Sequence, residues 1–495
     1  MRRFVRFLAG LSGVVALVLV TILLLRGFDA RDKMAIRPWH RVVPAAELRA
    51  SEMDASFTLA KYLAREEVLF REVVERVEKR VPPADRYAAN RFWLDSPLCP
   101  ANLPRDWNRT FEMLPVGEIR GGVLLVHGLT DAPYSMRRLA EIYRDLGYYA
   151  LALRVPGHGT VPGALTEATW QDWAAAVRMG ARAVRARAGE GKPFHLVGYS
   201  NGGALCLEHA ISVVEGESLP RADRLVLVSP MVGVSPFAGF ARFISRLGVF
   251  PYFEASRWLG VLPEYIPFKY TSFPANAAFQ TYDLTSNLQK RLADLARSGK
   301  IRELPPMLTF LSIVDATVLT PATVRELYDR LGENGSELVV FDVNRSSDLR
   351  PFIRDVDERL VAELLPPRPR PWQLTVVTNA HPDTEEVVAR VVPAGSGSVT
   401  GTESPLGLSW PEGVFSLSHV ALPFPPDDPL YGGRPDPEQE NGITLGTLDP
   451  RGEREVLTVP VAQLMRLTWN PFFTVVEERV RAWAAAPALP TATPR

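Results

Sequence analysis

A serine among glycines, Gly198-Tyr-Ser-Asn-Gly-Gly203, separates an apolar run at 194–197 from a helix-like stretch at 204–210. Buried strands favour branched apolar residues and helices disfavour glycine, so three glycines around Ser200 read as a sharp turn between closely approaching backbones. The spacing fits G-x-S-x-G, in which a strained strand-to-helix turn lifts the serine hydroxyl above the edge of a sheet as a nucleophile. The plainer reading is a glycine turn with a capping serine; the strand before and the helix after favour the nucleophile. The pattern is neither G-x-G-x-x-G nor a P-loop, so a phosphate cradle is excluded.

A serine nucleophile needs a base, and the chain has seven histidines. His40 lies near the start, His195 opens the strand leading to Ser200, and His209 is nine residues past it on the following helix. His127 and His158 fall in glycine turns upstream of the serine. Where a strand–serine–helix turn carries the nucleophile, acid and base follow in the order Ser, Asp or Glu, His. That order leaves His419, in Phe415-Ser-Leu-Ser-His-Val-Ala-Leu-Pro423, and the rival His381, in Thr378-Asn-Ala-His-Pro382. His419 is favoured as the base. Asp315, ending the run Met307-Leu-Thr-Phe-Leu-Ser-Ile-Val-Asp315, is favoured as the acid that orients it, over Asp342 one strand later. The expected set is therefore Ser200 as nucleophile, Asp315 as orienter, and His419 as base and then acid. Two backbone N–H groups must meet the oxyanion: Asn201, after the nucleophile, and Leu129, in the turn Val126-His-Gly-Leu-Thr130.

Such a set has to be positioned by a sheet. Short apolar runs at 123–126, 149–155, 194–197, 225–228, 307–313 and 338–341 alternate with helix-like stretches at 136–146, 170–188 and 321–331. This alternation predicts an α/β fold with a mostly parallel sheet covered on both faces. Two segments interrupt it. Residues 231–300 carry 13 aromatic side chains within 237–282, and are expected to form a helical lid facing an apolar substrate. Residues 344–415, with a proline-rich tract and a strand-like run at 374–377, read as an insertion.

The chain has 495 residues, 56 basic and 56 acidic, for a formal net charge of zero. No basic stripe points to nucleic acid. Two cysteines, Cys99 and Cys206, make neither a disulfide framework nor a metal site. Arginines at 2, 3 and 6 precede an uncharged apolar run of 19 residues, 7–25, long enough to span a bilayer as a helix and lacking a small-residue cleavage site. The expected organisation is a membrane anchor over 1–27, a helical brace over 28–114 with one long helix at 44–80, a catalytic domain over 115–486, and a disordered tail over 487–495. The catalytic body is expected outside the cytoplasm.

His127-Gly-Leu-Thr-Asp-Ala-Pro133, Arg154-Val-Pro-Gly-His-Gly-Thr160, Thr169-Trp-Gln-Asp-Trp173 and Gly198-Tyr-Ser-Asn-Gly-Gly203 occur in that order. Together they resemble the α/β-hydrolase superfamily, in particular its monoacylglycerol lipase, lysophospholipase and bacterial carboxylesterase branch. The similarity covers about residues 115–345 and the surroundings of His419. It implies an ester hydrolase with a cap over an acyl pocket, no cofactor or metal, and an acyl-ester or lipid-like substrate. Asn201 departs from the Met or Gln usual in that branch, and the stretch between Asp315 and His419 is longer than usual. A non-catalytic lipid- or protein-binding module of the same fold, and an acyltransferase using the same residues, are the alternatives.

Overall fold

The computed structural model describes residues 34–233, 251–315, 317–346, 348, 351, 369–396, 401–435, 444–447 and 459–486. Twelve strands are found among them: β1 Phe111–Met113, β2 Gly121–Val126, β3 Tyr148–Leu153, β4 Phe194–Tyr199, β5 Arg224–Val228, β6 Trp258–Gly260, β7 Phe273–Pro274, β8 Met307–Ser312, β9 Glu337–Phe341, β10 Gln373–Asn379, β11 Glu386–Val392 and β12 Thr402–Ser409. Ten form one sheet in the order β1-β3-β2-β4-β5-β8-β9-β10-β11-β12, while β6 and β7 pair apart from it. The run from β3 to β10 is parallel, and β1, β11 and β12 are antiparallel additions at the two edges.

Every residue of β2, β3, β4, β5, β8 and β9 is buried, as a parallel sheet covered on both faces requires. Strand alternation divides their side chains between two cores. Leu124, Val126 and Leu196 face one; Val123, Leu125, Val197 and Tyr199 face the other. The major helices of the described chain are α1 Leu59–Arg76, α2 Arg137–Asp145, α3 Trp170–Ala188, α4 Asn201–Val214, α5 Ala275–Ser298, α6 Thr320–Glu326 and α7 Phe473–Ala485. The start of α3 is fixed by a reciprocal cap: Asp172 N–H donates to Thr169 Oγ1 at 3.3 Å and Thr169 N–H to Asp172 Oδ2 at 2.9 Å.

The long helix expected over 44–80 is shorter. Helix α1 begins after Thr58, whose hydroxyl accepts from Lys61 N–H at 3.4 Å, and ends at Arg76. Upstream, Asp54 Oδ1 accepts both the N–H and the hydroxyl of Ser56, a local bonding pattern that competes with helix. The brace is tied to the sheet through Arg154, which is fully buried just past β3. Its guanidinium meets Glu66 of α1 at 2.9 Å and Glu47 at 3.1 Å, and donates to the His158 carbonyl at 3.1 Å.

Within 344–415, expected as an insertion, the described strands continue the sheet. Strand β10 pairs in parallel with β9, and β11 and β12 extend it as antiparallel strands. Within 231–300, the described part comprises the loop-rich stretch 251–274 and α5. The former is pinned to the brace by an Arg41–Glu254 pair at 2.8 Å and a His40 Nε2 to Ser272 Oγ bond at 3.0 Å. Both cysteines are buried and free. Among the described residues no helix is long and apolar enough to cross a membrane. The expected anchor over residues 7–25 and the expected tail over 487–495 lie outside the described residues.

Candidate active site

Strand order reverses direction at β2 and β4: the chain goes from β2 outward to β3 and then back to β4 on the other side. Loops that leave neighbouring parallel strands in opposite directions open a crevice at their C-terminal ends. Ser200 stands at that point, between β4 and the first residue of α4. Its backbone has φ 53° and ψ −117°, a conformation costly for a residue with a Cβ. Three non-glycine residues of the described chain have positive φ, namely Thr130, Ser200 and Ser229. They follow β2, β4 and β5, three adjacent strands, so backbone strain is concentrated at one edge of the sheet.

The glycines explain how the turn is tolerated. A Cβ on Gly202 would run into the carbonyl oxygen of Val126 on β2, and one on Gly198 would come within 2.5 Å of the Gly202 oxygen. The Ser200 N–H donates to Val228 O on β5 at 2.9 Å, and its carbonyl accepts from Gly203 N–H at 3.0 Å and from Met231 N–H at 3.0 Å. The strained residue is thus tied to β5 and the segment that follows it, and to its own turn through Gly203. It also sits at the N-terminus of α4, where the helix dipole favours negative charge.

Asp315 and His419, 104 positions apart, are brought together, with His419 Nδ1 3.6 Å from Asp315 Oδ1. That is an electrostatic contact, too long for a hydrogen bond. Asp315 Oδ1 accepts the backbone N–H groups of Thr317 at 2.8 Å and Val318 at 2.9 Å. Burial pushes its carboxyl up to about 6, against the pull of those N–H groups. The Ser229 hydroxyl also favours the charged carboxylate, but short of hydrogen-bond geometry: it and Asp315 Oδ2 are both buried without a bonded partner. Burial lowers His419 to about 3, and the positive charges of Lys269 and Arg466 push the same way. The imidazole is therefore neutral and able to accept a proton. No hydrogen bond joins it to Ser200 among the described residues.

The rivals lie elsewhere. His381 is exposed in the turn between β10 and β11. Asp342 is paired with Arg345 at 2.6 Å and accepts from Thr378 at 2.8 Å. His127 bridges two site loops: its Nε2 accepts Val155 N–H at 3.0 Å and its Nδ1–H donates to Gly128 O at 2.9 Å. Burial keeps it neutral, so it shapes the turn bearing Leu129. Neither Leu129 nor Asn201 gives its N–H to a partner among the described residues. Leu129 stands in the loop that leaves β2, and Asn201 is the first residue of α4.

A cavity of about 120 Å³ adjoins the site. Tyr199 and Val420 on its wall are the immediate neighbours of Ser200 and His419. Asp131, Lys269 and Arg466 also line it. Asp131 belongs to the 127–133 motif, but Lys269, Arg466 and Ser229 carry no sequence signal: they stand in loops, outside any motif, and only folding brings them to the serine. His419 itself is placed by its neighbours, since Ser312 Oγ on β8 donates to Leu417 O at 2.7 Å and Ser418 Oγ to Leu467 O at 2.6 Å.

The sequence profile of the alpha/beta hydrolase family matches residues 123–494. The thermostable monoacylglycerol lipase of Bacillus sp. (strain H-257) is 42% identical over 86 residues, which cover 17% of this chain and 33% of that lipase. The chain thus spans about a third of the length of that relative. A solved structure from work on LipS and LipT, two metagenome-derived lipolytic enzymes, is 23% identical with a TM-score of 0.39, covering 53% of this chain and 98% of that one. The Paleococcus ferrophilus monoacylglycerol lipase is 19% identical with a TM-score of 0.36, covering 51% of this chain and 98% of that one. The relative it matches at 42% identity is a lipase, and since the family profile matches well over half of the sequence, the strand–serine–helix turn included, the chain belongs to the alpha/beta hydrolase family.

Proposed function

We propose that the protein is a serine hydrolase of carboxylic (acyl) esters, acting through Ser200, His419 and Asp315 and an acyl-enzyme intermediate. The observation that carries this reading is the gathering of positive-φ residues Thr130, Ser200 and Ser229 at the ends of three adjacent strands. Strain of that kind is retained where it serves a site.

In this mechanism His419 takes the Ser200 hydroxyl proton as the oxygen attacks the ester carbonyl. The oxyanion receives the N–H groups of Leu129 and Asn201, aided by the N-terminus of α4. Imidazolium then gives its proton to the leaving alcohol and the acyl group stays on Ser200. Water, deprotonated by the same imidazole, attacks the acyl ester, and Ser200 recovers its proton. Asp315 holds the Nδ1–H side of His419. For this the 3.6 Å contact closes to hydrogen-bond length in the substrate complex, as catalytic contacts commonly do.

The aromatic segment within 231–300 acts in this reading as a lid over the acyl chain, and residues 7–25 tether the enzyme to a membrane with its catalytic body outside the cytoplasm. Deleting residues 1–27 is expected to release a soluble enzyme that keeps activity on short esters and loses activity on bilayer substrates, where the tether raises effective concentration. The decisive experiment is fluorophosphonate labelling together with turnover of p-nitrophenyl and glyceryl esters of graded chain length. Ser200 is expected to be the labelled residue, and Ser200→Ala to lower turnover by about 10⁴–10⁶-fold. A folded wild-type protein that neither labels nor turns over any ester overturns the reading.

A further inference from the structure

Two cations in the cavity beside Ser200 have no carboxylate partner. Lys269 is half-buried and Arg466 lies exposed at the mouth, and among the described residues neither makes an ion pair or a side-chain hydrogen bond. They reach the site from opposite directions. The residue after Lys269, Tyr270, donates its N–H to Thr130 O at 2.7 Å, in the loop that bears Leu129. Arg91 further fixes this point by donating to the Lys269 carbonyl at 3.3 Å. The residue after Arg466, Leu467, accepts the Ser418 hydroxyl at 2.6 Å, next to His419. One cation is therefore anchored to the oxyanion side and the other to the base side.

No other group on the wall pairs with either cation at contact distance. Asp131 is the carboxylate there: burial raises its pKa, the charge of Lys269 works against that rise, and the two lie beyond ion-pair distance. Tyr199, Tyr265 and Tyr431 are phenols held neutral by burial. Ile266, Phe424 and Leu464 supply apolar surface. An ammonium and a guanidinium left unpaired on a partly apolar wall are the donors that recognise carboxylate or phosphate oxygens.

We propose that this cavity binds an anionic group carried by the ester substrate itself, a carboxylate or a phosphate, held by Lys269 and Arg466 while the ester carbonyl meets Ser200. The inference rests on the esterase reading and narrows its substrate class to anionic esters. It also gives the charges a role in turnover. Together with burial, they disfavour the imidazolium that His419 must become. A bound anion offsets them, so the base works best with a substrate that carries the negative charge.

The test compares matched esters in the wild type and the double variant Lys269→Gln/Arg466→Gln. p-Nitrophenyl hemiglutarate is set against p-nitrophenyl valerate, and 1-butyrylglycerol 3-phosphate against 1-butyrylglycerol. The anionic-to-neutral ratio of kcat/KM is expected to exceed one for at least one pair and to fall about 10- to 100-fold in the double variant, the worth of hydrogen bonds to a charged group. Arg297→Gln, at an exposed site on α5, is expected to leave the ratio unchanged. Response of the hemiglutarate pair alone identifies a carboxylate, and of the phosphate pair alone a phosphate. Ratios at or below one that the double substitution does not move overturn the proposal while leaving the esterase standing. Calorimetric titration of Ser200→Ala with 1-butyrylglycerol 3-phosphate and with glutarate decides the anion site even if no ester is turned over. Tightest binding is expected with Lys269 and Arg466 intact, and no binding of either anion overturns the site.

Discussion

The corner of the proposed nucleophile and the corner of the proposed base are built by different means. Ser200 is specified within six consecutive residues: one strand end, one helix start, and glycines that let β2 pass against the turn. Its strained backbone is held by hydrogen bonds to β5, to Met231 just after it and to Gly203 of its own turn. His419 is assembled from four distant stretches. Asp315 comes from the end of β8, Lys269 from the 251–274 region, Arg466 from near α7, and the histidine from a loop anchored by serine hydroxyls. Its contact with Asp315 is loose and its basicity is suppressed by burial and charge. A corner encoded locally is complete in the fold alone; one assembled from afar is left for the substrate to finish.

That contrast can be broken at either corner. The largest effect is expected at the base: His419→Ala should lower kcat by about 10⁴–10⁶-fold. His381→Ala should leave most of it, and the reverse pattern would move the base to the β10–β11 turn. Next comes Gly202→Ala, whose methyl must displace either β2 or the Ser200 turn. A misplacement near 1 Å costs about 10²-fold, so kcat is expected to fall by at least that much, with weaker fluorophosphonate labelling.

Arg154 separates support from chemistry. Arg154→Met leaves Glu47 and Glu66 buried without their cation, and should cost about 3–5 kcal/mol in denaturant unfolding. Activity per folded molecule should change much less, because no triad residue touches that network. A variant as stable as wild type would mean the brace is not coupled to the sheet through this residue.

The smallest and most graded effect is in pH. Since Asp315 is raised to about 6, kcat/KM should be flat above about pH 7 and fall below about 6 as the Asp315–His419 pair takes up a proton. Stability follows a different rule. His419, His40, His158 and His195 are each lowered to about 3 and His209 to about 4, mainly by burial. Unfolding frees them to bind protons between their folded values and the ordinary 6.5, so the unfolded state gains protons and stability drops as pH falls through that window. Asp315 works in the opposite sense between 3.8 and about 6, because there the folded state binds the extra proton. Glu78, raised to about 7, and the likewise raised Glu66, Asp131 and Glu264 act in the same sense as Asp315, while His127 joins the lowered histidines. The sign is therefore read one group at a time: His209→Gln should lose less Tm than wild type between pH 6.5 and 4, and an equal loss would contradict a buried neutral histidine there.

Read alone, the sequence determined the parallel core and the strained turn that carries the proposed nucleophile. The six expected strands appear within two residues of their places, because continuous branched apolar runs can only be satisfied between two covered faces. Ser200 was legible because close backbone crossing admits only glycine, and glycine is visible in a sequence. Asp315 and His419 were legible as candidates through chain order, and their approach to 3.6 Å came from packing. Tertiary structure alone decided the rest. Helix α1 is shorter than its apolar spacing suggested, because side-chain bonding at Ser56 and the Thr58 cap outweigh periodicity. The strand-like run at 374–377 was legible, but that β10 joins the main sheet beside β9, with β11 and β12 beyond it, was decided by the edge β9 offers. Ser229, Lys269 and Arg466 joined the site without any motif, since a charge or hydroxyl on a loop acquires a role only from what lies across a cavity from it. Such distances are set by the packing of the whole chain, and no local pattern of residues records them.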